Sequence, residues 1–312
     1  MKNDEQAVLI INTKSRRGRE WLGPVVEKLE HSPGITLVEK HASQDPNEIV
    51  RWTEVAVRRG LPLVIVGGGD GTFSSVARSF IGSKSALGVL PLGTGNQFAR
   101  DLCIEAEVNQ ACTVLMEGID LDVDVGLAGD GCFLNVATVG LTTVIARELT
   151  NNDKRRFGRI AYLFALTKAV RRVRPFRARL KSADIDESFE TLQVVIGNGR
   201  FHGGPFPLAP DASIVSGELI VYALVGTSRW DLLRYAAKLP GGRHVELDNV
   251  QMFQSTGGEL ETKPIQRVTV DGETKLNTPI RFSISPRALR VRVPREFVEA
   301  QKAIERDSAV VR

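Results

Sequence analysis

Two glycine-rich loops, each following a short apolar run, hold the residue types suited to chemistry on a phosphate. The first is Gly67-Gly68-Gly69-Asp70-Gly71-Thr72, entered directly from Val64-Ile65-Val66, with helical spacing resuming over residues 73–80. Glycines let a backbone approach a phosphate closely, and the N–H groups at a helix start favour negative charge. Asp70 adds a carboxylate able to orient Mg2+ on bound phosphates. The loop matches neither G-x-G-x-x-G nor G-x-x-x-x-G-K-[ST]. A plainer reading of the same residues is a glycine turn with Asp70 as the helix cap.

The second loop, Pro91-Leu92-Gly93-Thr94-Gly95-Asn96-Gln97-Phe98-Ala99-Arg100, follows the next apolar run. Thr94 can donate to a phosphate oxygen, and Asn96 can cap the following helix or hold a ligand. A third loop, Asn12-Thr13-Lys14-Ser15-Arg16-Arg17-Gly18, follows the first run. Far downstream, Val270-Asp271-Gly272-Glu273 reads on its residues alone as two strands joined by an Asp-Gly turn.

The elements that must position these loops alternate. Apolar runs at 7–11, 35–38, 63–66 and 87–90 are separated by helical spacing over 18–30, 46–59 and 73–80. Short continuous runs suit strands buried on both faces, and repeated β-α units with short loops predict a doubly wound parallel sheet. Open sheets of this kind place ligands at the carboxyl ends of their strands, where all three loops lie. After residue 121 the rhythm changes to strand-like stretches at 122–127, 132–139, 178–181, 191–196, 218–224, 266–270, 280–285 and 289–293, with helices expected at 158–172 and 229–239. The fold class is therefore α/β: an N-terminal doubly wound nucleotide-binding domain over 1–121 and a C-terminal antiparallel β-sandwich domain over 122–294. A terminal helix within 295–312 is expected to pack back on the first domain.

Composition narrows the function classes. The 312 residues are 42% hydrophobic and 25% charged, average for a soluble globular protein. No stretch approaches the ~18 uninterrupted apolar residues of a membrane span, and no secretion signal is read at the N-terminus. The three cysteines, Cys103, Cys112 and Cys132, have no C-x-x-C spacing, which argues for a reducing compartment. The net charge of +4 conceals an asymmetry, because residues 154–181 carry eleven Lys and Arg and no acid. That segment is either a helix docking on anionic lipid or a helix packed on the β domain among solvated arginines. No zinc-finger or RNP-type motif supports nucleic-acid binding.

Together, the loops at 68–72 and 91–100 resemble the diacylglycerol kinase-like catalytic domain, the superfamily of bacterial soluble lipid kinases and of sphingosine and ceramide kinases. The resemblance continues through 11–18, 197–204 (G-N-G-R-F-H-G-G), 209–213 (A-P-D-A-S) and 270–273, nearly the whole chain. G-G-D-G-T alone is shared with NAD kinases, and the P-x-G-T-x-N-x-F-A loop separates the lipid kinases from them. The resemblance implies ATP and Mg2+ as cofactors, a lipid alcohol as acceptor and a role in lipid metabolism such as phospholipid biosynthesis. By carry-over, Asn12, Gly67, Gly68, Gly69, Asp70, Gly71, Thr72 and Thr94 contact the nucleotide, and Asp70 organises the Mg2+–phosphate network. Glu273 would be the general base that takes the proton of the lipid hydroxyl.

The sequence departs from the family pattern in places. Bacterial members often carry Asp before the glycine in A-S-x-x-D-G, as part of a structural Mg2+ site. Here Ser216 stands there, which predicts a weakened or absent site with Ser213 and Glu218 as the remaining candidate ligands. Thr13 replaces a common proline, Gln97 a common Asp, and His41 falls near a position often held by Thr.

The expectation is a cytoplasmic ATP-dependent lipid kinase, peripheral to the membrane and meeting its substrate at the membrane surface. An NAD kinase-like enzyme and a non-catalytic lipid- or nucleotide-binding regulator are the alternatives. The acceptor lipid and the oligomeric state are open at this point.

Overall fold

The computed structural model describes residues 4–148, 171–202, 206–207, 213–238 and 242–310. The chain forms two compact units, Met1–Val123 with Arg287–Arg312, and Asp124–Pro286.

The first unit runs β1 (Glu5–Asn12), α1 (Gly18–Glu30), β2 (Ile35–Ser43), α2 (Pro46–Arg58), β3 (Leu63–Gly68), α3 (Asp70–Phe80), β4 (Ala86–Pro91), α4 (Gln97–Asp101), α5 (Val108–Glu117) and the start of β5 (Ile119–Ala128). The strands pair in parallel in the order β2-β1-β3-β4. Their apolar runs are continuous because both faces are covered: Leu9, Ile10, Val64, Ile65 and Leu90 are fully buried. The chain passes from β1 outward to β2 and back across β1 to β3, so right-handed connections put α1 and α2 on opposite faces. Accordingly α1 packs with α5, and α2 with α3. Helix α2 starts where it does because Asp45 accepts the N–H of Asn47 at 2.9 Å and Pro46 fits the first turn.

The second unit takes up β5 beyond Val123 and continues through β6 (Gly131–Phe133), β7 (Val136–Gly140), α6 (Leu141–Glu148), β8 (Phe176–Lys181), β9 (Asp186–Gly197), β10 (Phe201–His202), β11 (Phe206–Pro207), β12 (Leu219–Val225), α7 (Arg229–Lys238), β13 (Val250–Ser255), β14 (Gly257–Lys263), β15 (Arg267–Val270), β16 (Glu273–Asn277) and the first half of β17 (Ile280–Val293). Antiparallel pairing runs β16-β15-β7-β9-β8-β14-β17, and β12 joins β9 to β13. Long β9 makes this possible: residues 186–191 pair with β8, while 193–197 lie between β7 and β12. Strand alternation along β12 divides the apolar side chains. Leu219, Val221 and Ala223 join Phe133, Phe176, Phe189, Ile196 and Phe282 in the sandwich core. Tyr222 and Leu224 join Leu232 and Tyr235 of α7 in a second cluster.

The chain returns to the first unit along β17, where Val291 lies parallel to Leu87 of β4. Buried Arg292 reaches Glu5 at 2.6 Å and Asp120 at 2.7 Å. Burial pulls its guanidinium pKa down, but the hydrogen bonds it donates to Glu5 and Asp120 outweigh that and hold it raised. Helix α8 (Arg295–Val310) follows, with Phe297 buried in this unit.

Two expectations are corrected, and one pair of strands is new. The stretch 132–139 is two strands, β6 and β7, broken at Leu134-Asn135. The stretches 280–285 and 289–293 are one strand, continuous across Pro286 with Arg287 at φ 50°. The polar segment 250–263 is a pair of strands. Most of the helix expected at 158–172 and of the basic stretch 154–181 lies outside the described residues.

Candidate active site

Three parallel neighbours end side by side. Gly67 is in register with Ile11 on one side and Leu90 on the other, and Gly68 is opposite Pro91. The loops after β1, β3 and β4 therefore leave the same edge of the sheet, with β1 and β3 forming the point where strand order reverses. Ligands of open α/β sheets bind at such a point.

Hydrogen bonds fuse the three loops. The N–H of Leu92 donates to the Gly68 carbonyl at 2.7 Å, and that of Arg17 to the Leu92 carbonyl at 3.1 Å. Asn12 donates through Nδ2 to Thr72 Oγ1 at 3.0 Å, while its Oδ1 accepts the N–H of Lys14 at 3.0 Å. Asn96, in the left-handed region at φ 49°, accepts the N–H of Gly93 at 2.8 Å and donates to the Gly93 carbonyl at 3.2 Å. That closes the second loop on itself and leaves Thr94 exposed at its tip.

Close backbone approach, not turn geometry, demands the glycines. A Cβ on Gly93 would lie 2.7 Å from the Gly69 Cα, and one on Gly95 would lie 2.9 Å from Asp70 Oδ2. Two loop backbones thus touch directly, leaving a cradle that side chains would fill. Helix α3 opens at Asp70 behind Gly69, whose position caps it without a side chain. Asp70 is therefore not the cap of its own helix. Its Oδ1 accepts the N–H of Phe98 at 3.1 Å, in the first turn of α4. The carboxylate ties the first glycine loop to the second.

His41, next to the Asn12 edge on β2, stacks on Trp52 with ring centroids 4.6 Å apart and meets Glu39 at 3.0 Å. Hydrogen bonds from Arg59 and from His41 hold the Glu39 carboxyl below its usual range.

In the second unit, Glu273 opens β16 opposite Val270. Its backbone is fixed by the preceding turn, where Asp271 at φ 44° and Gly272 at φ 89° give the paired positive angles of a tight hairpin. The Asp271 carboxylate accepts the N–H groups of Leu134, Asn135 and Val136 at 2.8, 3.0 and 2.9 Å. The hairpin is thereby locked to the start of β7. The Glu273 side chain lies outside the described residues.

Comparison with known proteins matches this arrangement. Residues 6–128 match the diacylglycerol kinase catalytic domain, and 135–293 match the YegS C-terminal NAD kinase beta sandwich-like domain. A probable lipid kinase YegS-like from Enterobacter sp. (strain 638) is 30% identical over 294 residues, covering 93% of this chain and 96% of that protein. The chain belongs to the YegS-like family of diacylglycerol kinase-domain proteins. A YegS-like relative from Pseudomonas aeruginosa (strain UCBPP-PA14) is likewise 30% identical over 293 residues, covering 93% of this chain and 95% of its own. Two crystal structures of Bacillus anthracis str. Sterne proteins share the fold. One has a TM-score of 0.81 at 21% identity, covering 95% of this chain and 98% of its own. The other, described as a diacylglycerol kinase, has a TM-score of 0.72 at 16% identity, covering 95% and 99%.

Ser216 marks a departure within this family chain. Its hydroxyl donates to the Ser213 carbonyl at 2.9 Å and accepts the N–H of Glu218 at 3.3 Å. The N–H of Gly217 donates to the buried Asp124 carboxylate at 2.7 Å, and the N–H of Asp124 to the Ile214 carbonyl at 2.7 Å. The turn is closed by hydrogen bonds, and the Glu218 side chain is exposed. Among the described residues no three His, Cys, Asp or Glu are grouped to take a metal ion. A hard cation wants several carboxylate oxygens, and among the described residues this turn offers exposed Glu218 and the Asp124 carboxylate that accepts the N–H of Gly217.

The fused loops bring together Asn12, Gly67–Thr72 and Thr94 in the first unit. Glu273, Ser213 and Glu218 belong to the second. Residues 209–212 of the A-P-D-A-S stretch lie outside the described residues. Sequence reasoning missed the latching roles of Asp124 and Asp271, because their partners are distant in the chain.

Proposed function

We propose that this protein is a lipid kinase transferring the γ-phosphoryl group of ATP, with Mg2+, to the hydroxyl of a lipid such as a diacylglycerol. The observation that carries the reading is the glycine cradle, closed by Asp70 between two loops at the strand-order reversal of a diacylglycerol kinase catalytic domain. Backbone N–H groups at the start of α3 suit phosphate oxygens, and Thr94 at the loop tip supplies a hydroxyl donor. Asp70 places a carboxylate between the two glycine loops, where it accepts the N–H of Phe98, and it is the acid that would hold a metal on the phosphates. Mg2+ would neutralise charge on the phosphates when bound. Glu273 accepts the lipid hydroxyl proton as that oxygen bonds to the γ-phosphorus and the bond to the ADP oxygen breaks.

Relatives described as probable lipid kinases support a lipid acceptor. Among the described residues no helix is long and apolar enough to cross a membrane, which fits an enzyme reaching its substrate from the bilayer surface. The test is ATP-dependent phosphate transfer to a panel of micellar lipids, with NAD as a soluble acceptor. A phosphorylated lipid, lost on Asp70→Asn, supports the reading. Transfer to NAD alone, or ATP binding without transfer, overturns it.

A further inference from the structure

Helix α7 carries an apolar face with no partner among the described residues. Its inner face is settled: Leu232 and Tyr235 are buried against Tyr222 and Leu224 of β12. The opposite face places Trp230, Leu233, Arg234 and Ala237 at i, i+3, i+4 and i+7. Trp230 is 72% exposed and Leu233 46% exposed. Tryptophan is among the more buried residue types on average, so this exposure in the first turn of α7 calls for a role.

A third apolar group adds to the same side. Met252 on edge strand β13 is directly opposite Tyr222, so the two side chains leave the same face of the sheet. Tyr222 packs under α7, and Met252 is 43% exposed on that side.

The charges on the helix are mostly basic, Arg229, Arg234 and Lys238 against Asp231, while the next turn is mixed, with Arg243, Glu246 and Asp248. Exposed Arg234 lies within the stripe, Lys238 ends the helix, and Arg243 follows in the next turn, where it pairs with Glu246 at 3.1 Å. Asp231 is the acid of the helix. A short amphipathic helix with Trp and Leu on one face and Lys and Arg around them suits an anionic bilayer surface. The aromatic and aliphatic groups enter the headgroup boundary and the cations meet phosphates.

We propose that the Trp230–Leu233 face of α7, with Met252 on the same side of the sheet, docks this protein on an anionic phospholipid bilayer. The choice of a bilayer over a protein partner rests on the lipid-kinase reading, together with the basic residues of the helix.

The test is cosedimentation of the full chain with vesicles of phosphatidylcholine containing phosphatidylglycerol, and with pure phosphatidylcholine. The wild type is expected to bind the anionic vesicles, more weakly at high salt, with a blue shift of tryptophan fluorescence. A Trp230→Ser/Leu233→Ser variant is expected to bind about 10-fold more weakly or less. It should keep the wild-type Tm and its rate on a short-chain lipid in detergent micelles. Trp230→Phe should keep binding and lose the blue shift. Equal binding by the double variant overturns the proposal, because the bilayer then meets another surface. A change of oligomeric state with no loss of vesicle binding also overturns it, in favour of a second copy of the chain. If the wild type docks through this face and phosphorylates no lipid, the kinase reading fails and the docking surface stands.

Discussion

The carboxylate of Asp70 accepts the backbone N–H of Phe98 at 3.1 Å, joining the start of one helix to the start of the next across two glycine loops. This single contact couples the shape of the cradle to its charge. A neutral acceptor of the same shape can keep the geometry while removing the charge.

Asp70→Asn therefore separates structure from chemistry. Its amide oxygen can still accept the Phe98 N–H, so Tm should be close to wild type, while turnover falls about 100-fold or more. Asp70→Ala removes the acceptor as well and should lower Tm in addition. Thermal melts beside initial rates check both, and an active Asp70→Asn protein contradicts the role of the charge.

The contact between Gly69 and Gly93 makes a second prediction. A Cβ at Gly93 would sit 2.7 Å from backbone that cannot move without opening the cradle. Gly93→Ala should raise the KM for ATP about 10-fold or more by displacing the loops. Gly23→Ala, within α1 and away from the loops, should leave kinetics unchanged. Nucleotide-dependent kinetics of the two variants test the contrast.

The hydrogen-bonded turn at Ser216 predicts stability without a structural cation. Scanning calorimetry of the wild type should give the same Tm in EDTA as in Mg2+ when no nucleotide is present. Ser216→Asp brings a second carboxylate to the turn that Asp124 closes through Gly217, and Mg2+ should then raise its Tm. A chelator-sensitive wild-type Tm would count against the hydrogen-bonded closure.

Burial pushes the Cys112 thiol up to about 11. The folded state thus holds that proton more tightly than the unfolded state, so the contribution is fully present below pH 9 and is lost as pH rises from 9 towards 11. Exposed Cys103 should react with a thiol reagent in the native protein, whereas Cys112 should react only on unfolding. Counting labelled thiols at pH 8 with and without denaturant checks the difference, and replacing Cys112 with Ala should flatten the alkaline loss of stability.

The first unit was legible because its strands are buried on both faces and its loops carry their chemistry in glycines. Val64-Ile65-Val66 and the loop behind it needed no tertiary information. What the residues alone did not reveal is where polar side chains find partners. The plainer sequence reading of Asp70 is a local cap, yet its acceptor role reaches Phe98 in the next loop. Asp271 looked like a turn residue, and the turn is as the Asp-Gly pair predicts. Its carboxylate also gathers three N–H groups from the other end of the unit, which no local pattern encodes.

Strands β13 and β14 escaped because they bury little. In Val250–Ser255 and Gly257–Lys263 only Leu260 is fully buried on its face, so no period-2 apolar signal stands out. The continuity of β17 across Pro286 was hidden by a residue that usually marks a strand end.

The most direct measurement is ATP-dependent transfer to a diacylglycerol in mixed micelles by wild type and Glu273→Gln, with ATP binding measured in parallel. Glutamine keeps the size of the side chain and cannot take a proton. The account predicts a phosphorylated lipid from the wild type, a rate about 100-fold or more lower in the variant, and unchanged ATP affinity. A variant that transfers at the wild-type rate would contradict it.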